Sequence, residues 1–262
     1  KSFWQTYKVV ENQGNKVSSK GAFHSAAYLL QRCLADLLDV SPEEIDEEVS
    51  PMLFGNILHR TLQYIYLDKE NKVLNYSDIE NILKDKSLID DAINKAFAVE
   101  YFKEKETKKV EIAGRNILVF DVIKKNVTQV LKKDKSLTPF SIIQMEKANP
   151  KLYEIDIDGN SINIGIRGFI DRVEQKDGKI TVIDYKTGGD SRSVKSFEDL
   201  FDREQKKKTK AIFQVFLYAW LLESSELSDK DLNLGIILSK ELFSSDFSRD
   251  IKVNYKSISY FD

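Results

Sequence analysis

Asp171, Asp184 and Lys186 are the residues of this 262-residue chain whose types and spacing could do chemistry. The segment Gly165-Ile166-Arg167-Gly168-Phe169-Ile170-Asp171-Arg172-Val173 leads through Asp177-Gly178 to Ile180-Thr181-Val182-Ile183-Asp184-Tyr185-Lys186. Both residues of Asp177-Gly178 tolerate positive φ, so they predict a two-residue hairpin turn. With Lys176 facing Lys179, that register sets Asp171 directly opposite Asp184, side chains on one face and Cβ atoms about 5 Å apart. Lys186 lies two residues beyond Asp184 and points to the same face. Two opposed carboxylates in an otherwise apolar sheet repel each other and lose hydration, which is costly unless a cation lies between them. Ile170, Val173, Val182 and Ile183 are what a buried sheet needs, so the carboxylates stand out. Hard oxygen ligands suit Mg²⁺ or Mn²⁺ better than zinc. A lysine beside them could orient or deprotonate water, or stabilise charge on a phosphoryl group. Together these are parts for phosphodiester hydrolysis. Taken alone, the same residues also fit a structural Asp–Lys ion pair with a second Asp capping a turn.

The elements that must position these residues follow from periodicity. Residues 139–186 alternate with period two and contain Asp158-Gly159-Asn160 as well as Asp177-Gly178, which predicts a β-meander. Residues 51–67 read as a helix, with Leu53, Phe54, Ile57, Leu58, Leu62 and Ile65 on one broad apolar face. Two helical stretches follow near 77–105 and 110–133. A short helix near 196–202, a long one at 207–223, and strand-like runs at 232–239 and 250–260 complete the chain. At the start, short aromatic and β-branched runs around Gly14 suggest a peripheral hairpin in residues 1–20. A helix is expected over 23–38, Ser41-Pro42-Glu43-Glu44 is a helix-start signal, and 43–48 is an acidic, solvated stretch. This order of elements implies an α/β core with a helical cap contributed by the first half.

Composition narrows the class. Apolar residues are 42% and charged residues 31%, as in an ordinary globular protein. The net charge of −2 gives no global positive field, so nucleic-acid binding would have to use local basic stretches. Cys33 is the one cysteine, which excludes an internal disulfide and a four-cysteine metal or iron–sulfur site within the chain. No apolar run approaches a membrane span and no signal-peptide pattern is present, so a cytoplasmic protein without membrane contact is expected. Lys1 in place of an initiating Met suggests a piece of a longer protein.

Gly168-Phe169-Ile170-Asp171-Arg172-Val173, followed by Ile183-Asp184-Tyr185-Lys186-Thr187-Gly188, resembles the PD-(D/E)XK nucleases of the RecB and AddB type. Phe54-Gly55-Asn56-Ile57-Leu58-His59 is similar to the helix on which that family carries a metal-binding histidine. Gln214-Val215-Phe216-Leu217-Tyr218 matches its Gln-x-x-x-Tyr motif, with the two polar residues side by side on a helix. Ile170 stands where the minor signature has proline. The resemblance implies a restriction-endonuclease-like α/β fold, a central mixed β-sheet flanked by helices with an N-terminal helical region. It implies a peripheral segment at 1–50 and a nuclease domain at 51–262. The His-bearing helix and helical insertion would fill 51–135, and the catalytic sheet and helices 136–262. It further implies metal binding by His59, Asp171, Asp184 and the Tyr185 backbone carbonyl, with Lys186 assisting the water and Gln214 and Tyr218 holding DNA. Gly55 and Gln63 would share the face of His59 and leave room for a close approach.

Lys206, Lys207 and Lys208, in the most basic stretch, are either a solvated face or a phosphate contact. Lys124-Lys125 and Lys132-Lys133 are weaker candidates. Glu146 reads as a solvent-facing strand glutamate, with an added acidic role as the alternative, and His24 reads as structural. The implied activity is Mg²⁺- or Mn²⁺-dependent hydrolysis of DNA, single-stranded or at duplex ends. It would belong to a larger helicase–nuclease or AddB-like repair protein with helicase domains or a helicase subunit as partners. The iron–sulfur cluster of many relatives is not expected. An inactive nuclease fold serving as a DNA-binding scaffold, or an unrelated hydrolase of small phosphoesters, are the competing classes.

Overall fold

Ser50 and Pro51 open the first described helix, α1 (Pro51–Tyr66). The Ser50 hydroxyl accepts the Leu53 N–H at 3.2 Å, and Pro51 sits in the first turn, where its missing N–H costs nothing. The computed structural model describes residues 49–158, 160–202, 204, 206–223, 232–254 and 256–258. The expected hairpin at 1–20, the helix at 23–38, the helix start at 41–44, the acidic run at 43–48, His24 and Cys33 lie outside the described residues.

The stretch near 77–105, which reads as a single helical run, is two helices, α2 (Tyr76–Lys84) and α3 (Lys86–Glu100). Asp85 divides them, because its carboxylate accepts the Leu88 N–H at 3.0 Å and caps α3. Helix α4 (Asn116–Leu137) follows. None of the described helices is long and apolar enough to cross a membrane.

The meander is present as β2 (Phe140–Ile157), β3 (Asn160–Lys176) and β4 (Lys179–Lys186). A two-residue edge strand, β1 (Val73–Leu74), joins it from the helical half and is too short to carry a periodic signal. After a short strand β5 (Ser193–Val194) and a 3₁₀ turn at Glu198–Leu200, helix α5 (Lys206–Leu222) carries the chain to β6 (Leu232–Leu238). The main sheet runs β1-β2-β3-β4-β6, and only the β4–β6 pair is parallel. Two short strands, β7 (Lys252–Val253) and β8 (Lys256–Ser257), form a small second sheet with β5.

Alternation along the strands builds two cores. Ile183, Tyr185 and Ile237 join Ile57, Leu62, Ile93, Val127 and Leu131 of the helical layer. Val173, Ile180, Val182, Leu234 and Ile236 join Ala211, Ile212 and Val215 of α5 on the opposite face. The result is the expected α/β architecture, a mixed sheet flanked by helices. Helix α5 lies so close to β3 that a Cβ at Gly168 would meet Tyr218 Cε1 at 2.8 Å and Leu221 Cδ1 at 2.9 Å. Gly168→Ala is expected to cost about 1–3 kcal/mol of unfolding free energy through overpacking. Urea denaturation measures this, and an unchanged midpoint would contradict the close approach.

Candidate active site

Asp177 at φ 51° and Gly178 at φ 81° make the tight turn between β3 and β4, and the ladder runs from Lys176↔Lys179 to Arg172↔Ile183. One step further, the same register would set Asp171 opposite Asp184. There the regular ladder ends. Asp171 Oδ2 accepts the Tyr185 backbone N–H at 2.8 Å, taking the place that a β3 carbonyl would fill. Side-chain alternation also breaks at this residue, since Ile170 packs against α5 while Arg172 lies over the Tyr66 and Phe140 rings of the other face. A uniform strand would put residues two apart on one face. The expected single face shared by Asp171, Asp184 and Lys186 is therefore corrected: Asp171 turns into the gap between the strands.

The partner strand breaks at the same level. Met145 pairs with Arg172 and Lys147 with Ile170, which sets Glu146 opposite Asp171. Glu146 has φ 49°, in a strand that also carries a bulge between Ile142 and Gln144. A left-handed conformation at such a residue costs roughly 1–3 kcal/mol and persists only where its surroundings impose it. Its carboxylate Oε1 lies 3.2 Å from His59 Nδ1. Glu146 therefore faces the site and not open solvent. Period-two reading missed it because a left-handed residue inside a strand leaves no periodic trace.

His59 reaches this row from α1. Its Nδ1 is 3.5 Å from Asp171 Oδ2, and its Nε2 is 3.0 Å from the Tyr185 carbonyl oxygen. Burial disfavours the imidazolium, but Asp171, Glu146 and Asp184 outweigh it and raise the His59 pKa from 6.5 to about 9. Burial, reinforced by Asp184 and Glu146 and opposed by His59, raises Asp171 from 3.8 to about 7. When protonated, the ring donates from Nδ1 towards Glu146 and from Nε2 to the Tyr185 carbonyl. One donor atom from each of His59, Glu146 and Asp171 falls within 4.8 Å of the others, close enough to share one cation.

A second connected group lies beside it, towards α5. Lys186 Nζ is 2.9 Å from Asp184 Oδ1 and 2.8 Å from Oδ2, and it donates to Gln214 Oε1 at 3.1 Å. Gln214 Nε2 in turn donates to the Tyr218 hydroxyl, one helical turn further along α5. Asp184 is fully buried, and burial raises its pKa although Lys186 opposes the shift. The expected metal set is thus divided. His59, Asp171 and the Tyr185 carbonyl come together with Glu146, while the Asp184 carboxylate is held by Lys186. Tyr185, between Asp184 and Lys186 in the chain, gives both its backbone groups to the first set, its N–H to Asp171 and its carbonyl to His59.

Beneath the site lies a buried ion network that sequence reading did not foresee. Arg172 donates to Asp134 Oδ2 at 2.8 Å, to the Tyr185 hydroxyl at 3.1 Å and to Glu174 Oε2 at 2.5 Å. Tyr66 donates to Asp134 at 2.6 Å, and Arg249 lies 2.5 Å from Glu174 Oε1. Burial opposes the Glu174 charge, yet Arg172 and Arg249 overcome it and hold the carboxyl below its usual range. The network clamps the strand segments on either side of Asp171 and Tyr185 to α1 and α4.

The basic candidates sit elsewhere. Lys206, Lys207 and Lys208 form the first turn of α5, and their side chains lie outside the described residues. Lys124 is paired with Asp90 at 2.5 Å, and Lys133 donates to the Ser244 carbonyl at 3.2 Å, so both are engaged on the outer surface of the helical layer.

A model of the PD-(D/E)XK nuclease superfamily matches residues 25–246 of the chain. No curated protein matches it.

Proposed function

The chain belongs to the PD-(D/E)XK nuclease superfamily, and from that premise we propose that it is a Mg²⁺- or Mn²⁺-dependent deoxyribonuclease of the RecB/AddB type. In this reading it trims DNA as an exonuclease within a larger helicase–nuclease assembly, and the nuclease domain occupies residues 51–262. The observation that carries it is the convergence of His59, Glu146 and Asp171 on one point, with the Lys186 ammonium on the next row.

The donor set fits such an ion. Three carboxylates, a backbone carbonyl and one imidazole are mostly hard oxygen ligands. His59, Glu146, Asp171, Asp184 and the Tyr185 carbonyl are the groups proposed to hold it. A divalent ion there supplies Lewis-acid polarisation of a phosphodiester and acidifies water. Lys186 has three N–H donors, of which Asp184 and Gln214 take two. The ammonium so held is placed to orient water or to meet charge developing on the phosphoryl oxygens. Gln214 and Tyr218 fix the lysine and line the path of the strand, and Lys206, Lys207 and Lys208 are proposed phosphate contacts at the start of the same helix.

Cleavage of end-labelled single- and double-stranded DNA with Mg²⁺, Mn²⁺ or EDTA tests the reading. Metal-dependent shortening that is lost with Asp171→Ala or Asp184→Ala is the expected result. A folded, Mn²⁺-bound protein that cuts no DNA would refute it.

The protonated His59 makes metal uptake depend on pH. Ligands must shed their protons, so affinity falls as pH drops below the His59 pKa of about 9, and further through the Asp171 value of about 7. Calorimetric titration with Mn²⁺ should show Kd weakening about tenfold per pH unit below about pH 8.5, with proton release that scales with buffer ionisation enthalpy. A pH-independent Kd would remove His59 from the ligand set.

A further inference from the structure

Phe169 lies on the β2–β3 ribbon two rows from the Glu146/Asp171 row, and its partner across the ladder is the small Ala148. Gly168 faces α5 and Ile170 packs in the α5 core, so Phe169 and Arg167 project from the opposite face. Phe169 is 54% exposed, although it stands only two residues, about 7 Å of strand, from Asp171. The Arg167 guanidinium lies over its ring at 5.7 Å, and Pro150 is the residue opposite Arg167. Solitary exposed aromatics are common and need no explanation. This one is flanked by small residues, paired with a cation and set beside a carboxylate cluster that repels phosphate.

We propose that Phe169 and Arg167 form a stacking platform for an unpaired base, with Phe169 meeting the base and Arg167 the adjoining phosphate, so that the site takes single-stranded polynucleotide. An exposed ring can stack only on a base whose face is open, whereas inside a duplex both faces of a base are covered by neighbouring pairs. The guanidinium supplies the positive charge that the acidic row lacks. This inference rests on the nuclease reading above and adds to it the form of the substrate and the residues that select it.

The test is anisotropy of a fluorescein-labelled oligothymidine in Ca²⁺, beside cleavage of the same strand in Mn²⁺. Phe169→Ala should weaken single-strand binding about tenfold and leave binding of a blunt duplex of equal length unchanged. Phe169→Trp should restore affinity. An abasic position scanned along the oligonucleotide should weaken the wild type at one site and leave Phe169→Ala indifferent to it. If the wild type cleaves but Phe169→Ala binds single strands as well as it does, or loses duplex binding equally, the platform is wrong and the nuclease reading stands. If the folded wild type neither binds nor cleaves, the nuclease reading fails and takes the platform with it.

Discussion

Lys186→Ala should lower Mn²⁺-dependent DNA cleavage by about 10³-fold, roughly 4 kcal/mol of transition-state stabilisation, while Mn²⁺ affinity is unchanged or rises a few-fold. The sign of the second effect follows from charge. Lys186 is the cation that balances the fully buried Asp184, and removing it leaves the cluster more negative and more attractive to a divalent ion. The rate loss follows from geometry, because Asp184 and Gln214 hold the ammonium in place beside the proposed metal site. Single-turnover cleavage and calorimetric Mn²⁺ binding, measured on the same preparation, separate the two. A fall in Mn²⁺ affinity matching that of Asp171→Ala would show that Lys186 organises the metal site and does not act on the substrate.

Arg172→Ala should be the most destabilising substitution beside the site, lowering unfolding free energy by about 4 kcal/mol, a large share of the 5–15 kcal/mol typical of a domain. Arg172 is fully buried, and its truncation strands Asp134 and Glu174 away from solvent. Arg172→Met, which keeps apolar volume but not charge, should be almost as damaging, because the stranded carboxylates and not the cavity dominate. The remedy identifies the cause. Adding Asp134→Asn and Glu174→Gln to Arg172→Met should recover much of the loss in urea unfolding. If Arg172→Met alone were neutral, the network would be dispensable.

The same ions set an acid limit. Glu174 has a folded pKa below its usual 4.5, so its contribution is complete above that value and is lost as pH falls through the lower folded pKa.

The legible part of the molecule was carried by local rules. Asp177-Gly178 dictated a turn, the turn dictated the register, and the register held as far as Arg172 opposite Ile183. Apolar spacing gave α1 and α5, and hence the helices that carry His59 and the Gln214–Tyr218 pair. What escaped was non-local or irregular. Asp134 carries no local signal of its role, yet it meets Arg172 across 38 residues of chain. Glu146 reads as an outward strand residue until its positive φ and the break at Asp171 turn it towards His59. Those two irregularities share one row, which is where the paired strands give up regular hydrogen bonding to make room for the cluster.

The parallel pair of the main sheet carries a consequence for how the site assembles during folding. Strands β2, β3 and β4 are joined by two-residue turns and can zip up locally within microseconds. The β4–β6 pairing must wait for closure of a long crossover through α5, and such non-local contacts form slowly. Lys186 lies at the end of β4, and the glutamine that holds it arrives only with that crossover. The opposed carboxylates can therefore assemble before the lysine is locked, and on the nuclease reading proposed above a nascent chain would gather a cation before it could cut.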